Sequence, residues 1–370
     1  MKFLSDQHKL YLLAAVLLAL TILLCFIWRL WKSPDAENPT PDTDTESSTP
    51  TPLPISSPSP SDSAPGATAE PESAATVSTI VYYQDNSGYL VPVMKQIENQ
   101  QGIAKATLSL MVSSPRNDME AARLGLRTVL PEGTDIDLDI SGGVARVDLS
   151  DTVTSLPDAE AESNMVSAIV QTLTEFDTVR TVRFLIDGQQ VDSLAHGTSV
   201  SGDFTRGMLN LESASASLDP EQARTVMLYF PGETGSLIVP VTRMVYGEPD
   251  VNTAVLELAK GPTASSPLES ALPSGCGLID VSTDESGKVT INFTREFISI
   301  AEQDDGGRQA VKALMLTCSQ FPGVTSVEIL VEGEPYDTGV STSAIPTTVN
   351  IADDIVDQFL QTQSMLLFEQ

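Results

Sequence analysis

Histidine and cysteine are scarce in this sequence, and their scarcity narrows the chemistry that it can support. The chain of 370 residues has two histidines and three cysteines. A structural zinc site takes four ligands, mostly Cys or His, and a disulfide scaffold needs several cysteine pairs. We therefore predict neither a metal-stabilised fold nor a disulfide framework, and we assign no cofactor and no metal site.

Basic residues are also few. The 20 Lys and Arg residues are outnumbered by 50 Asp and Glu residues, which gives a formal net charge of -30. Such a charge repels phosphate backbones, so nucleic acid is not an expected partner. Hydrophobic residues make up 41% of the chain, which is enough for folded cores. The length allows two domains of ordinary size with additional segments.

The residues present do not indicate a catalytic centre. His196 is the single histidine outside the N-terminal region, and it lies in a loop rich in Gly, Ser and Thr. No serine-centred nucleophile elbow accompanies it. We interpret His196 as a turn or capping residue and predict that the protein is not an enzyme, with no catalytic or cofactor-binding residue.

Three aspartates in one short segment suggest a calcium site at first sight. They are Asp135, Asp137 and Asp139. The calcium-loop pattern fails, because Ile140 stands where glycine is required and Arg146 where the bidentate acid belongs. Alternation with aliphatic residues predicts instead a strand whose acids face solvent. A cation site remains the alternative.

A long uncharged run lies near the N-terminus. As a helix, Leu10–Trp28 would be about 28 Å long, enough to cross the hydrocarbon core of a bilayer. Lys9 and Arg29 bracket the run. We predict an uncleaved, single-pass membrane anchor within residues 1–32.

Two alternatives to an uncleaved anchor fit this terminus less well. A cleaved signal peptide needs small residues before the cut, and the stretch Cys-Phe-Ile-Trp-Arg-Leu-Trp-Lys-Ser at residues 25–33 does not offer them. A lipoprotein needs a small residue before the modified cysteine, but Leu24 precedes Cys25. Lipidation at Cys25 remains an alternative to the spanning helix.

The segment after the predicted anchor has the composition of an exported spacer. Residues 33–76 include eight acids, no base and ten of the chain's 24 prolines. Such a segment cannot bury enough apolar surface to offset the entropy of ordering, so we predict a disordered linker. Its acidity places the C-terminal part of the chain outside the cytoplasmic membrane.

One segment of the sequence occurs twice, as Met165–Gly188 and as Ala310–Gly333. In both copies apolar residues first recur at the spacing of one helix face and then follow a strand-like pattern. The helical positions are Met165, Val166, Ile169, Val170, Leu173 and Phe176, matched in order by Ala310, Val311, Leu314, Met315, Cys318 and Phe321. Each copy therefore predicts a helix that leads into a strand.

The preceding segments repeat as well. Strands are predicted at Thr79–Tyr83 and Tyr89–Val93 across the turn Asp85–Gly88, and again at Val226–Phe230 and Leu237–Val241. The second strand of each pair contains a proline, which indicates a sheet edge or a bulge.

Short helices and a further pair of strands complete each copy, and Pro115 is expected to end the first short helix. We predict an α+β fold with two similar compact domains, each a small, mostly antiparallel sheet with two packed helices. Asn350 is expected to cap a final helix. The predicted segments are an anchor (1–32), a Pro/Ser/Thr-rich acidic linker (33–76), a first domain (77–210), a linker (211–223), a second domain (224–350) and a C-terminal helix (351–370).

These elements, in this order, resemble the GerMN-domain family. They are a Tyr-bearing strand, Leu-Val-Pro-Val, Ala-x-Leu-x-Leu, Leu-Pro-x-Gly, Val-Asp-Leu-Ser, Thr-Leu-Thr-x-Phe-x-x-Val and a terminal Asp-Gly. The resemblance covers about Val77 to Asn350. The second copy departs from it at Gly339–Asn350, which lacks the His-Gly-Thr and Phe-Thr-Arg elements of His196–Arg206.

The resemblance implies domains similar to the ring-building folds of sporulation assemblies. It also implies a non-enzymatic, extracytoplasmic protein of spore-forming bacteria that localises or assembles other proteins between mother cell and forespore. Proteins of this kind are commonly lipoproteins, whereas the context of Cys25 favours a spanning anchor here. GerMN domains also occur in sensor-like envelope lipoproteins outside sporulation.

Two cysteines lie in the second copy. Cys318 matches Leu173 on the buried helix face, where a free cysteine packs as a small apolar group. Cys276 matches Thr134 in a loop. We predict free thiols, with a disulfide between them as the alternative for an exported domain.

The leading functional hypothesis is a membrane-anchored interaction and localisation factor in sporulation or germination envelope assembly. Its expected partners are other membrane or envelope proteins, and a small-molecule ligand is not expected. An extracytoplasmic sensor with a ligand in the cleft between domains is the alternative, and a cell-wall hydrolase with paired carboxylates is a remote one. A cleft lined by aromatic or convergent polar groups would favour the sensor.

Overall fold

A computed structural model describes residues 75–212, 223–233, 236–303 and 307–354. The predicted anchor lies outside these residues, as do nearly all of the predicted linker before the first domain and residues 355–370 of the predicted C-terminal helix. Within the described ranges, no helix combines the length and the apolar character needed to cross a bilayer.

The first repeat opens with a long β-hairpin. Strand β1 (Thr76–Gln84) and strand β2 (Leu90–Glu98) pair antiparallel along their whole length. The Asp85 carboxylate accepts hydrogen bonds from the backbone N–H groups of Ser87 and Tyr89, at 2.9 and 2.8 Å, and so fixes the tight turn. The predicted hairpin is confirmed, with longer strands than the apolar pattern indicated.

Two short helices follow the hairpin, where the sequence predicted one. They are α1 (Ile103–Ser109) and α2 (Pro115–Ala122). Pro115 does more than end α1, because it also begins α2. The Ser114 hydroxyl accepts a hydrogen bond from the Asn117 N–H at 3.2 Å, and proline suits the first helical position because its missing N–H would have no partner within the helix.

A three-stranded sheet and a long helix complete the first repeat. In chain order they are β3 (Ile136–Ser141), β4 (Val144–Leu149), α3 (Ala159–Leu173) and β5 (Thr181–Ile186). The sheet order is β3-β4-β5, with β3 antiparallel and β5 parallel to β4. The parallel pairing follows because α3 forms the crossover between β4 and β5.

The second repeat has the same element order, except that its described part lacks a counterpart of α2 and ends with an additional short strand. Its described elements are β6 (Ala223–Pro231), β7 (Ile238–Tyr246), α4 (Val251–Ala259), β8 (Leu278–Thr283), β9 (Lys288–Phe293), α5 (Arg308–Ser319), β10 (Ser326–Val331) and β11 (Glu334–Pro335). Strands β6 and β7 form a hairpin, and the other strands form a sheet in the order β11-β10-β9-β8.

The predicted α+β class and the two similar domains are confirmed, but the sheet arrangement is corrected. Each hairpin forms a two-stranded sheet of its own instead of joining the other strands. The remaining sheet is mixed, since β9 and β10 are parallel just as β4 and β5 are. Apolar alternation marks a strand without revealing its neighbour's direction, so this detail was not accessible from the pattern.

The repeated helix face is buried in both domains, as predicted. Leu173 on α3 and Cys318 on α5 are both fully buried. Eight further matched positions are also buried: Met165, Val166, Ile169, Val170, Ala310, Val311, Leu314 and Met315. The last predicted pair, Phe176 and Phe321, lies beyond the ends of the helices and is partly buried. Equivalent positions on equivalent helices therefore form the two cores.

The described cysteines are free, so the prediction of free thiols is confirmed. Burial raises the pKa of the Cys318 thiol to about 12. Burial, together with the negative charge of Glu296, raises the pKa of Cys276 to about 11. Both thiols are neutral at physiological pH. Cys25 lies outside the described residues.

Candidate functional site

His196 has a structural environment in the first domain. Its backbone N–H donates to Glu162 Oε1 at 2.8 Å, and the Thr198 N–H donates to Glu162 Oε2 at 3.2 Å. The His196 ring Nε2 lies 2.7 Å from the carbonyl oxygen of Leu156. This arrangement holds the loop after β5 against α3 and supports the interpretation of His196 as a turn residue.

Glu162 is the buried group that organises this loop, and sequence reasoning missed it. Burial alone would raise the pKa of its carboxyl, but the hydrogen bonds from His196 and Thr198 outweigh burial and hold the pKa below its usual range. The carboxylate is therefore charged at neutral pH, with its partners on a loop more than 30 residues away in sequence.

The aspartates of β3 have cationic neighbours on the protein surface. Asp139 Oδ2 lies 3.0 Å from Arg146 Nη1, and Asp137 Oδ1 lies 3.6 Å from Lys105 Nζ. Asp135, Asp137 and Asp139 are exposed, as the strand pattern predicts. No group of three or more potential metal ligands occurs among the residues that the structure describes.

The proline-containing strands of the two domains lie side by side. Pro92 in β2 pairs with Tyr82 on one side, and Pro240 in β7 pairs with Tyr229. Strands β2 and β7 lie close to each other. Each belongs to a two-stranded sheet, so each is an edge strand, which agrees with the prediction that the prolines indicate a sheet edge or a bulge.

Asn210 joins these two strand edges. Its Oδ1 accepts a hydrogen bond from the Leu90 N–H at 2.8 Å, while its Nδ2 donates to the Leu90 carbonyl at 2.8 Å and to the Pro240 carbonyl at 2.7 Å. One side chain thus satisfies backbone groups of both domains.

Asn350 makes the reciprocal connection from the second domain. Its Oδ1 accepts from the Ile238 N–H at 2.9 Å, and its Nδ2 donates to the Ile238 carbonyl at 2.8 Å and to the Pro92 carbonyl at 2.9 Å. A helical turn does follow, but it begins at residue 352, so Ile351 and not Asn350 precedes it. The predicted capping role of Asn350 is therefore wrong, and its side chain binds backbone groups of Ile238 and Pro92 instead.

The segments around these asparagines cross between the domains. Leu211 pairs with Thr242 in β7, and Ile351 pairs with Met94 in β2. We call residues 209–212 the first arm and residues 348–351 the second arm. The first arm follows the first domain and contacts β7 of the second, and the second arm follows the second domain and contacts β2 of the first. The two domains therefore hold each other reciprocally.

A buried ion pair strengthens the first arm. Arg243 in β7 binds Glu212 through two hydrogen bonds, of 2.6 and 3.1 Å, and the two side chains are 13% and 4% exposed. Arg243 also donates to the carbonyls of Glu257 and Gly261, both at 2.8 Å. Buried charges need such full pairing, because desolvation is costly.

A cleft lies between the two domains beside the proline edges. Its volume is about 210 Å³. Its described walls come from equivalent positions of the two repeats: Ile80 and Met227, Tyr82 and Tyr229, Pro92 and Pro240, Leu209 and Val349. The cleft therefore lies on the approximate twofold relation between the repeats.

The charged side chains that line the cleft come from the first domain. Arg206 Nη2 lies 2.6 Å from Glu175 Oε1 and donates to the Tyr82 hydroxyl at 2.8 Å. The Tyr82 hydroxyl in turn donates to the same Glu175 oxygen at 2.8 Å. Burial, followed by the charge of Glu175, raises the pKa of Tyr82, so its hydroxyl remains protonated. Glu175 is the single carboxylate among the described residues that line the cleft.

Each arm contains a short pair of residues that the sequence repeats. Asn210-Leu211 and Asn350-Ile351 form a repeated Asn-aliphatic pair, one after each domain. The second copy lacks the His-Gly-Thr and Phe-Thr-Arg elements, and Pro346 stands where the first copy has Arg206. Both positions line the same cleft.

Comparison with known proteins agrees with this architecture. Residues 80–192 and 227–337 match the Germane family, which is described as "Sporulation and spore germination". These two segments coincide with the two repeats and together cover more than half of the chain. The chain belongs to the Germane family. The resemblance to the GerMN-domain family is thereby confirmed.

One related protein supports the tandem arrangement, both by its sequence and by its solved structure. The spore germination protein GerM of Bacillus subtilis (strain 168) is 28% identical over 271 residues, which cover 71% of this chain and 74% of GerM. A solved structure of the tandem GerMN domains of B. subtilis GerM matches with a TM-score of 0.62 at 26% identity, covering 75% of this chain and 99% of that one. This Germane relationship supports a sporulation-related role, and GerM is described as a spore germination and sporulation protein rather than as an enzyme.

Proposed function

We propose that this chain is a non-enzymatic interaction and localisation factor that acts in envelope assembly during sporulation or germination. The relationship to GerM supports the process. The reciprocal hold of Asn210 and Asn350 supports the mode of action, because it makes the two domains one body with two similar surfaces at a fixed spacing. A body of this kind suits docking to other proteins.

The proposed location is outside the cytoplasmic membrane, tethered by Leu10–Trp28. The uncharged run and the acidic, proline-rich segment 33–76 support this topology. In intact protoplasts, external protease should remove residues 77–370 and leave the anchor behind. Protection of these residues, or a mature N-terminus at Cys25, would contradict the proposal.

The proposed partners are other membrane or envelope proteins. Two surfaces on one body allow weak contacts to add through effective concentration, provided that both can be engaged together. The acidic charge of the chain favours partners with basic surfaces, which it would attract over several ångströms.

A pull-down from sporulating cells tests this function. The tagged full-length chain should retain a small, reproducible set of envelope proteins, and the same chain carrying Asn210→Ala and Asn350→Ala should retain fewer of them. Asn99→Ala provides the matched control, because Asn99 is exposed. If the double variant retains every partner, partner binding does not depend on the fixed arrangement of the two domains.

The cleft gives some support to a second function, an extracytoplasmic ligand sensor. Tyr82, Tyr229, Gln171 and Arg206 converge on it, as a ligand site requires. The remote alternative, a wall hydrolase, lacks this support, since a glycosidase mechanism needs two carboxyl groups flanking the scissile bond and the described lining has Glu175 alone.

A further inference from the structure

The cleft continues into a second cavity. The second cavity also has a volume of about 210 Å³ and is lined by Ser78, Thr79 and Phe176 together with residues of the first. Ile80, Met94, Glu175, Thr347 and Thr348 line both. We call the two together the interdomain groove. Pockets for drug-sized molecules have volumes of about 300–1,000 Å³, so neither cavity alone is large enough, whereas an elongated groove suits an extended chain.

The two sides of the interdomain groove differ in chemistry although they are equivalent in fold. The first domain supplies Gln171, Glu175 and Arg206, whereas the second supplies Leu316 at the position equivalent to Gln171 and Pro346 at that of Arg206. One wall therefore carries the charged groups, whereas the opposite wall is uncharged and combines apolar groups with the hydroxyls of Tyr229, Ser319, Thr347 and Thr348. An occupant should place its charged group against the first wall and apolar or hydrogen-bonding groups against the second.

Two polar atoms of groove-lining side chains have no hydrogen-bond partner among the described residues. Both hydrogen bonds to Glu175 end on Oε1, so Oε2 has no hydrogen-bond partner among the described residues. The hydroxyl of Tyr229 also has none there, although the equivalent Tyr82 hydroxyl has two. Burial raises the pKa of Tyr229 to about 12, so this hydroxyl is a neutral donor at physiological pH.

The negative charge of Glu175 favours a cationic side chain in the groove. Glu175 is the sole charged side chain among the described residues of the second cavity, where Ile80, Met94 and Phe176 provide apolar contact. Arg206 of the adjoining cavity already pairs with Glu175 Oε1, so Oε2 is the oxygen left for a further cation. The aliphatic stem of a lysine or arginine can lie on such apolar surface while its charged head reaches a carboxylate. The net charge of -30 adds a long-range attraction for a basic chain.

We propose that the interdomain groove binds an extended peptide segment of a partner protein through one lysine or arginine side chain. The cation binds Glu175 Oε2, its stem lies against Ile80 and Met94, and the Tyr229 hydroxyl donates to a peptide carbonyl. This inference rests on the proposed interaction function and specifies the chemistry of one partner contact.

Peptide probes test the proposal on the purified full-length protein. The first probe is a fluorescein-labelled ten-residue peptide of alanine and serine with one central lysine, and two further probes carry glutamate or norleucine in its place. Fluorescence anisotropy at low ionic strength should detect the lysine probe and show at least about tenfold weaker binding of both others, the loss expected for one charge-assisted hydrogen bond.

Variants assign the contact within the groove. Glu175→Gln and Tyr229→Phe should each weaken binding of the lysine probe, by about tenfold and about threefold. Glu334→Gln and Tyr336→Phe are the matched controls, since both residues lie outside the described groove lining. Circular dichroism spectra and melting temperatures equal to those of the unmodified protein would show that each variant is folded.

Any one of four results would overturn the proposal. The first three are absence of binding by the lysine probe, equal binding of the lysine and norleucine probes, and unchanged binding by Glu175→Gln. Preferential binding of the glutamate probe would also overturn it and would indicate an anion site at Arg206. If the pull-down retains envelope proteins while the lysine probe fails, the groove proposal falls and the interaction function stands. Loss of both would reject both.

Discussion

At the scale of single residues, the strongest evidence for the repeat is the equivalence of Leu173 and Cys318. Both side chains are fully buried at matching positions on α3 and α5. We expect Leu173→Ala to lower the free energy of unfolding by about 2–5 kcal/mol, through lost burial and the cavity that remains. Urea denaturation measures the change. Leu256→Ala is the control, because Leu256 is 45% exposed on α4, and an equal effect of both substitutions would contradict the core assignment.

Glu162 predicts a pH dependence of stability. Its folded pKa is lowered by the N–H groups of His196 and Thr198. A carboxyl with a depressed folded pKa contributes stability above its unfolded pKa, about 4.3, and this contribution disappears as the pH falls through the lower folded pKa. We therefore expect Glu162→Gln to be destabilising at pH 7, with a difference from the unmodified protein that shrinks below about pH 4.

Urea midpoints at pH 7, 5 and 3.5 test this expectation. Glu160→Gln is the matched control, because Glu160 is exposed on the same helix. A difference between Glu162→Gln and the unmodified protein that stays constant across this pH range would show that the charge of Glu162 contributes nothing to the loop.

At the scale of elements, the arms decide how the domains are joined. The Asn350 side chain is buried, since the residue is 3% exposed. It forms hydrogen bonds with the backbone N–H and carbonyl of Ile238 and with the carbonyl of Pro92. We expect Asn350→Ala to cost about 1–3 kcal/mol for each buried backbone group left without a partner. Asn210→Ala should act in the same direction, and Asn99→Ala should be close to neutral. Differential scanning calorimetry provides the measurement, and melting temperatures equal among the three variants would contradict the role of the arms.

The elements that sequence patterns predicted are those formed by local chain segments. The turn at Asp85–Gly88, the stripe that contains Leu173 and the strand edges at Pro92 and Pro240 follow from spacing and backbone chemistry within a few residues. The arms were missed because Asn210 contacts Pro240 and Asn350 contacts Pro92, which lies 258 residues away in sequence. A side chain that forms hydrogen bonds with backbone groups of another domain produces no periodic pattern in the sequence.

The open strand edges also bear on partner binding. In the first sheet, the edge of β5 is paired with Phe204, so β3 is the open edge, and it carries exposed Asp137 and Asp139. In the second sheet the open edge is β8, which has a bulge at Ile279. Exposed charge and bulges both discourage strand addition. These edges are therefore poor docking sites, which favours the groove and the outer sheet faces.

At the scale of the whole molecule, the two domains can be treated as one body rather than as two modules on a flexible tether. The arms, the buried pair of Arg243 and Glu212 and the shared cleft all join residues from both repeats. Dividing the chain between Asn210 and Arg224 would therefore remove each half's contacts with the other. Isolated halves would test folding and docking at the same time, so an intact body with a cut connection is the better experiment.

Cleavage within residues 213–222 tests this view of the molecule. We expect a chain with a protease site inserted there to remain one particle after cutting, because both arms and the Arg243–Glu212 pair stay in place. Co-elution of both fragments in gel filtration at about 1 μM would require an association free energy of about 8 kcal/mol or more. The same chain with Arg243→Ala and Asn350→Ala should separate into two fragments, since each substitution leaves buried polar groups unpaired. Separate elution of the unsubstituted fragments would show that the covalent connection, and not the reciprocal arms, keeps the domains together.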